Sequence, residues 1–234
     1  MVTVLIVAGL RKLAEMLRQP EPRVLMALLA VVAGVLVFAA IADEVADHDT
    51  QTFDERVLRS LRTPAEAGTL IGPDWMAPAA RDISSLGGTT LLLAITVGTA
   101  GFLLLSGKAR AVWLVLLAPA TGTVAVAVLK AIFARPRPDI VPHLETVTSY
   151  SFPSGHSMLT AIVYLTLGAL VAGMLPDRRK KVYVLLAAVT ITALVGMSRM
   201  MLGVHYPTDV LAGWAAGLTW AILWWLAERR LQRP

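Results

Sequence analysis

The chain has 234 residues, of which 56% are hydrophobic, 16% are charged and none is cysteine. Since soluble domains carry about 25% charged residues, this composition excludes intrinsic disorder and disfavours an ordinary soluble domain. The lack of cysteine excludes disulfides, thiolate metal sites and cysteine nucleophiles, and the formal net charge of +5 has meaning only once its location is known.

The first predicted element is an amphipathic segment, in which an apolar block at 2–10 precedes Arg11, Lys12, Glu15 and Arg18. A secretory signal has its positive charges before the apolar region, so this order argues against a cleaved signal peptide. Leucines at helical spacing opposite these charges favour a short helix lying in the membrane surface. A frayed terminus is the alternative.

Six long uncharged stretches follow, and together they cover half of the chain. A bilayer core about 30 Å thick requires about 20 helical residues, so each stretch is a candidate span. Buried helices of a soluble protein are the alternative, which six such stretches in one short chain disfavour. We therefore predict an all-α polytopic membrane protein, a single domain over 1–234 with six transmembrane helices. The predicted spans are 24–42, 83–107, 111–129, 157–176, 182–198 and 210–227.

The longest segment between spans, residues 43–82, is mostly polar and contains several prolines. We predict short helices in this first outer segment, and Phe53, Val57 and Leu61 recur at helical spacing in the one expected over the outer face of the protein. The pattern leaves open whether this segment acts as a lid.

Basic residues are unevenly distributed between the two sets of segments that join the spans. The two termini and two of the turns together carry a net charge of +9, whereas 43–82, 130–156 and 199–209 carry −4. The positive-inside rule then places both termini in the cytoplasm and the second set on the outer face of a bacterial cytoplasmic membrane. The overall +5 therefore reflects orientation and indicates no nucleic-acid partner.

Six ionisable side chains lie at the predicted outer ends of spans, where charge is costly and function is the default explanation. Three cations, two histidines and one carboxylate at similar depth predict a site for a dianionic group, and phosphate is the obvious candidate. Arginine offers planar forks for phosphate oxygens, and lysine adds a compact charge. The six residues are Lys130, Arg137, His156, Arg199, His205 and Asp209.

The local sequence supports an anion site. Ser154 and Gly155 open a helix after Pro153, and free N–H groups at a helix N-terminus bind anions. His205 and Asp209 are four residues apart at the start of another helix. Asp209 can accept a proton from one ring nitrogen of His205 and leave the other nitrogen as a nucleophile.

Each of these residues also has a structural explanation. Lys130 and Arg199 fit end anchors that reach the membrane interface, and Ser154, Gly155 and Asp209 fit helix caps. The functional interpretation therefore depends on the coincidence of all six groups at one depth. Zinc fits poorly, because the three cations would repel a metal ion, and we predict neither a metal nor a cofactor.

Three motifs contain these residues, and their order and spacing are distinctive. They read Lys130-x6-Arg137-Pro138, Pro153-Ser-Gly-His156 and Ser198-Arg199-x5-His205-x3-Asp209. Together they resemble the three-part signature of the type-2 phosphatidic acid phosphatase superfamily. The six-span layout is similar to the bacterial membrane branch of that family.

The resemblance implies a role for each residue. His205 would attack phosphorus and form a phosphohistidine, and Asp209 would orient it. His156 would protonate the leaving oxygen and then activate water, so the scheme needs no metal. The phosphoryl oxygens would be held by Lys130, Arg137, Ser154, Gly155 and Arg199.

The predicted position of the site suits a lipid, whose phosphate lies at the water–lipid boundary while its chains stay in the bilayer. The resemblance implies hydrolysis of undecaprenyl diphosphate, phosphatidylglycerophosphate or phosphatidic acid, and the sequence does not choose between them. The expected partners are the lipid substrate and the bilayer, and the sequence leaves the oligomeric state open.

Three alternatives stay open at this point. The same phosphohistidine can pass its phosphoryl group to an acceptor lipid instead of water. A vanadate-dependent haloperoxidase shares the superfamily's site, although the membrane setting argues against it. A lipid-binding or transporting protein with an inactive site is the non-enzymatic alternative.

Overall fold

The computed structural model describes residues 21–63 and 66–232, which form eight helices and one two-stranded hairpin. The predicted N-terminal amphipathic segment lies outside these described residues. In chain order the elements are α1 (Pro22–Ala46), α2 (Gln51–Ser60), β1 (Arg62–Thr63), β2 (Glu66–Leu70), α3 (Met76–Ser85), α4 (Thr89–Leu105), α5 (Ala109–Phe133), α6 (Gly155–Met174), α7 (Arg178–Met201) and α8 (Pro207–Gln232).

Five of these helices, α1 and α5 to α8, are each long and apolar enough to cross a bilayer. Helices α3 and α4 pass the same test as a pair that is bent by 41°. Large apolar side chains such as Met26, Leu36, Leu105 and Leu186 are exposed on the outside of the bundle, as expected where helices contact lipid. The protein is therefore a multi-pass helical membrane protein, and the predicted fold class is confirmed.

The second predicted span, 83–107, contains a break between two helices that the sequence analysis did not predict. Residues 83–85 belong to α3, and α4 begins only at Thr89. The hydroxyl of Tyr164 on α6 donates to the carbonyl of Leu86 at 2.9 Å and fixes the chain at the break. An uncharged stretch of sequence indicates the length of a span but not the direction of its helix axis, so it cannot predict this bend.

Gly87 explains why the chain bends at this point. A Cβ atom there would lie 2.6 Å from Val195 on α7, 3.0 Å from Thr160 and 3.1 Å from the ring of His156 on α6. Since real Cβ atoms do not approach neighbours so closely, only glycine allows the bend to rest on these two helices. The bend therefore contacts a predicted site residue directly.

The outer segment contains the short helices α2 and α3 that were predicted, and one feature that was not. The strands β1 and β2 pair as an antiparallel hairpin, with Arg62 opposite Leu70. The expected apolar face of α2 is only partly covered: Phe53 is 51% exposed and Val57 and Leu61 are half-buried, whereas Asp54 and Leu58 are fully buried. Helix α2 turns a carboxylate inward because it covers a polar site, as described below.

Helix α6 packs closely against α8, and small residues permit the contact. Gly213 and Gly217 stand four apart on α8, a spacing typical of closely packed membrane helices. A Cβ on Gly217 would lie 2.6 Å from that of Ala161. Because α6 and α8 each begin at the site, this contact sets the distance between their first residues.

An aromatic cluster holds the segment that leads into α6. Phe152 is fully buried, and its ring lies 4.8 Å from that of Phe133 on α5 and 5.8 Å from that of Phe38 on α1. Pairs at these distances add stabilisation beyond simple burial. The start of α6 is therefore fixed from three directions, by α1, α5 and α8.

Replacing Gly213 with alanine is expected to lower the Tm of the purified protein and its activity together. The added Cβ would lie 2.8 Å from the carbonyl oxygen of Ser154 and 2.9 Å from the Cβ of Ser157. Overpacking of this kind costs about 1–3 kcal/mol and pushes the two helix starts apart. Gly98→Ala is the control, since nothing lies within 4 Å of a Cβ there. Equal Tm values for the two variants would contradict the prediction.

Candidate active site

The predicted site residues lie at one end of the helix bundle, on four helices and the loop 134–154. The backbone N–H of Ser154 donates to the carbonyl of Asp209 at 2.9 Å, which joins the starts of α6 and α8. The structure thus brings together residues that are far apart in the sequence. Lys130 ends α5, Arg137 follows it, Ser154 to His156 begin α6, Arg199 ends α7, and His205 and Asp209 begin α8.

His205 and Asp209 form a buried pair. Nδ1 of His205 lies 3.5 Å from Oδ2 of Asp209, and both side chains are almost completely buried. The same carboxylate accepts the backbone N–H of Tyr206 at 2.8 Å and the hydroxyl of Ser151. Because the carboxylate faces Nδ1, the proton of a neutral imidazole belongs on Nδ1, and Nε2 keeps its lone pair.

Arg137 lies on the other side of the same imidazole. Its Nη1 is 3.3 Å from Nε2 of His205 and donates to the carbonyl of Val204 at 2.7 Å. Its Nε and Nη2 donate to the backbone and hydroxyl of Ser149. A guanidinium that donates toward Nε2 again requires Nε2 to be the acceptor, so both contacts select the same tautomer.

Lys130 is held close to the start of α6. Its ammonium donates to the carbonyl of Tyr150, and its side chain lies 3.8 Å from the position that a Cβ on Gly155 would occupy. Such a Cβ would also lie 3.3 Å from Val126. Glycine therefore leaves the backbone at the helix start open beside a lysine, as expected where a phosphate oxygen approaches closely.

Arg199 is 1% exposed and is the largest fully buried side chain among the described residues. Its Nη1 donates to the hydroxyl of Ser84 at 2.5 Å and to the carboxylate of Glu145. Its Nε is buried and has no hydrogen-bond partner in the structure. A buried guanidinium donor without an acceptor is costly, and an oxygen placed beside this Nε would remove that cost.

Ser154 and His156 occupy the first turn of α6. Ser154 caps the helix, since its hydroxyl oxygen accepts the N–H of Ser157 at 3.4 Å and its hydroxyl at 3.0 Å. His156 is half-buried, and its ring lies beside the bend at Gly87. Ser154 therefore caps α6 in the structure, whereas its contact with phosphate stays a prediction.

The electrostatics of the site favour a neutral His205 and charged arginines. Burial lowers the pKa of His205 to about 3, and the nearby charges of Arg137 and Lys130 act in the same direction while Asp209 opposes them. The imidazole is therefore neutral around pH 7, and its Nε2 keeps a lone pair. Burial and the Arg199 guanidinium lower the pKa of Arg137 to about 10, so it stays cationic at this pH.

Several polar residues that the sequence does not single out lie in or beside the site. Glu145 and Ser151, in the loop 134–154, contact Arg199 and Asp209. Asp54 and Arg135 form a buried ion pair behind Asp209. Arg135 lies two residues before a motif position, but nothing in the sequence assigns it or the two distant carboxylates a partner. Within the described ranges, no group of three or more acidic, histidine or cysteine side chains is arranged to hold a metal ion.

Comparisons with known proteins agree with the motifs. Residues 111–233 match the PAP2 superfamily, and this region contains all three motifs. Phosphatidylglycerophosphatase B of Bacillus subtilis is 35% identical over 185 residues, which cover 78% of this chain and 87% of that protein. Decaprenylphosphoryl-5-phosphoribose phosphatase of Mycobacterium tuberculosis is 36% identical over 116 residues, 48% of this chain and 59% of that protein.

A solved structure has the same fold. The crystal structure of a transmembrane PAP2-type phosphatidylglycerolphosphate phosphatase from Bacillus subtilis superposes with a TM-score of 0.78 at 32% identity. The superposition covers 87% of this chain and 98% of that chain. With the family match and a relative aligned over most of both lengths, the chain belongs to the PAP2 superfamily, whose type-2 phosphatidic acid phosphatase signature its three motifs resemble.

Proposed function

We propose that this membrane phosphatase hydrolyses the terminal phosphoryl group of a lipid phosphate through a phosphohistidine on Nε2 of His205. The observation that carries the proposal is the pair of contacts on that imidazole. Asp209 faces Nδ1 at 3.5 Å, and the Arg137 guanidinium lies 3.3 Å from Nε2. A phosphoryl group held by Arg137 would therefore meet the lone pair of the nucleophile.

Phosphate binding is proposed to use the three cations and the start of α6. Lys130 and Arg137 lie beside Gly155 and His205, and the unpartnered Nε of Arg199 would gain a phosphate oxygen as its acceptor. These groups are fixed before substrate arrives, so they stabilise the charge that develops in the transition state. Backbone N–H groups at the helix start supply further donors.

The proposed chemistry has two steps. Nε2 of His205 attacks phosphorus, and the bond from phosphorus to the lipid oxygen breaks as His156 gives that oxygen a proton. His156 then takes a proton from water, the water oxygen attacks phosphorus, and the phosphorus–nitrogen bond breaks. Inorganic phosphate leaves, and both histidines regain their first protonation states. Asp209 stabilises the positive charge that the phosphorylated imidazole carries.

Phosphatidylglycerophosphate is the leading substrate in this proposal. The relative and the solved structure that match most of the chain are a phosphatidylglycerophosphatase and a phosphatidylglycerolphosphate phosphatase. The mycobacterial relative is named for a polyprenyl-linked substrate, which supports testing undecaprenyl diphosphate beside it. Phosphatidic acid completes the set.

We also propose that the site faces the outer side of a bacterial cytoplasmic membrane, with both termini in the cytoplasm. The site lies at the same end of the bundle as the segments with the net charge of −4, and the basic turns lie at the other end. The positive-inside rule supports this orientation. A membrane-impermeant label on a cysteine placed in the outer segment of spheroplasts tests it.

The function is tested by phosphate release from the three lipids with detergent-purified protein and no acceptor lipid. Release of inorganic phosphate, fastest from phosphatidylglycerophosphate, is the expected result. Phosphate release that requires an added acceptor would support the phosphotransferase alternative instead. Halide oxidation with added vanadate would support the haloperoxidase alternative.

Replacing Glu145 with glutamine is expected to strengthen competitive inhibition by inorganic phosphate about fivefold. Glu145 pairs with Arg199, and its side chain is 36% exposed. A like charge a few ångströms from a bound anion costs about 1 kcal/mol near water. The inhibition constant of phosphate measures the effect, with Asp139→Asn, an exposed acid in the same loop, as the control. An unchanged inhibition constant would contradict the binding of phosphate beside Glu145.

A further inference from the structure

A carboxylate outside the three motifs lies buried behind the site. Asp54 of α2 is 0% exposed, and apart from Leu58 it is the only fully buried residue of this mostly polar helix. Its carboxylate accepts the hydroxyl of Thr208 at 2.6 Å, the backbone N–H of Thr208 at 3.1 Å and Nη2 of Arg135 at 2.7 Å. A buried carboxylate requires such partners, and here all of them lie beside the proposed catalytic pair.

Arg135 joins this carboxylate to the site. Its Nη2 donates to Asp54, and its Nη1 donates to Oδ1 of Asp209 at 2.7 Å and to the hydroxyl of Thr208 at 2.9 Å. Its guanidinium lies 4.2 Å from the ring centre of Tyr206. A planar fork with several donors can bridge two carboxylates, whereas a lysine ammonium cannot reproduce that geometry.

The two oxygens of Asp209 consequently have separate tasks. Oδ1 is held by Arg135, while Oδ2 accepts Ser151 and the backbone of Tyr206 and faces His205. Fixing Oδ1 fixes the rotation of the carboxylate, and with it the direction of Oδ2 toward Nδ1. None of the hydrogen bonds that Arg135 makes with side chains reaches the proposed phosphate-binding residues.

We infer that Asp54 and Arg135 are positioning residues for the reaction: Asp54 holds Arg135, Arg135 holds Asp209, and Asp209 orients His205. This inference rests on the proposed function, since it takes His205 as the nucleophile. It gives helix α2 of the outer segment a task, because α2 is joined to the catalytic pair by a buried ion pair.

Asp54→Asn is the first test, because it keeps the size of the side chain and removes only its charge. Phosphate release from phosphatidylglycerophosphate in detergent is expected to show a kcat about 10–100-fold lower, the range for partners of catalytic groups. KM should change less than about threefold, since substrate binding is untouched. Arg59→Gln on the exposed side of α2 is the control and should leave both constants unchanged.

Arg135→Lys is the second variant, since Arg135→Gln leaves two buried carboxylates unpaired and endangers folding. Arg135→Lys retains the positive charge but cannot bridge the two carboxylates. Its kcat should therefore also fall, while the Tm of the purified protein stays within a few degrees of the wild-type value. A loss of Tm with an unchanged kcat in the remaining folded protein would show a structural role only and overturn the inference.

A double-mutant cycle with Asp209→Asn separates positioning from general damage. If Asp54 acts through Asp209, adding Asp54→Asn to Asp209→Asn should lower kcat less than about twofold further. Multiplied losses would overturn the inference, and so would a wild-type kcat in Asp54→Asn. Full activity of His205→Ala would instead remove the proposed function itself, so the two failures are distinguishable.

Discussion

Replacing His205 with alanine is expected to lower phosphate release by about 10⁴-fold or more, the scale on which enzymes lose a covalent nucleophile. The imidazole is almost completely buried, and its Nε2 is the atom that faces the Arg137 guanidinium. Alanine removes the nitrogen without adding bulk. Single-turnover phosphate release from purified protein measures the loss, and His48→Asn, at an exposed position with a φ of 65° that asparagine tolerates, is the control.

The intermediate gives this prediction a second readout. A phosphorus–nitrogen bond is labile in acid and stable in base. When the phosphoryl group of the substrate is labelled, rapid denaturation in base should therefore yield protein that carries the label. The label should be present in wild-type protein denatured during turnover and absent from His205→Ala. Hydrolysis that survives in His205→Ala would falsify the proposed nucleophile.

Much of the site could be predicted from the sequence because its residues interrupt apolar segments. In a chain with 16% charged residues, a charge at the end of a span is conspicuous, as at Lys130 and Arg199. The pairing of His205 with Asp209 is also local, since residues four apart meet on a helix. The structure places all four of these residues at one end of the bundle, as expected from their similar predicted depth in the membrane.

The partners of Asp209 and Arg199 could not be predicted in the same way. Asp54 and Glu145 lie in polar segments, where a carboxylate looks like any other solvated residue. Asp54 and Arg135 meet across 81 positions of sequence, and only the tertiary fold brings them together. A helix packed over a polar site can bury a charged residue and expose an apolar one such as Phe53, which reverses the usual pattern.

The apolar helices could be predicted from the sequence, but the bend within one uncharged stretch could not. The uncharged stretch from 83 to 107 conceals a 41° change of direction. That bend depends on Gly87, whose missing side chain matters only because α6 and α7 lie against it. A glycine within an apolar stretch carries no such information by itself, since Gly98 in α4 has open space around it.

Replacing Arg199 with alanine is expected to lower kcat/KM about 10³-fold, the scale of losing an arginine that stabilises phosphoryl transfer. Its side chain is 1% exposed, and its Nε lacks an acceptor that a phosphate oxygen would supply. Arg199→Lys should lose at least about tenfold, because an ammonium cannot supply two donors in one plane. Arg178→Lys, exposed at the opposite end of α7, is the control and should be neutral.

A second substitution at Glu145 tests whether Arg199→Ala loses activity through electrostatics or through a collapse of the site. Without the guanidinium, the carboxylate of Glu145 loses its cation and would repel the incoming phosphate. Adding Glu145→Gln to Arg199→Ala should therefore restore part of the lost kcat/KM, by about the fivefold that one nearby like charge represents. A structural collapse would instead leave the double variant as inactive as Arg199→Ala, and a lower Tm would accompany it.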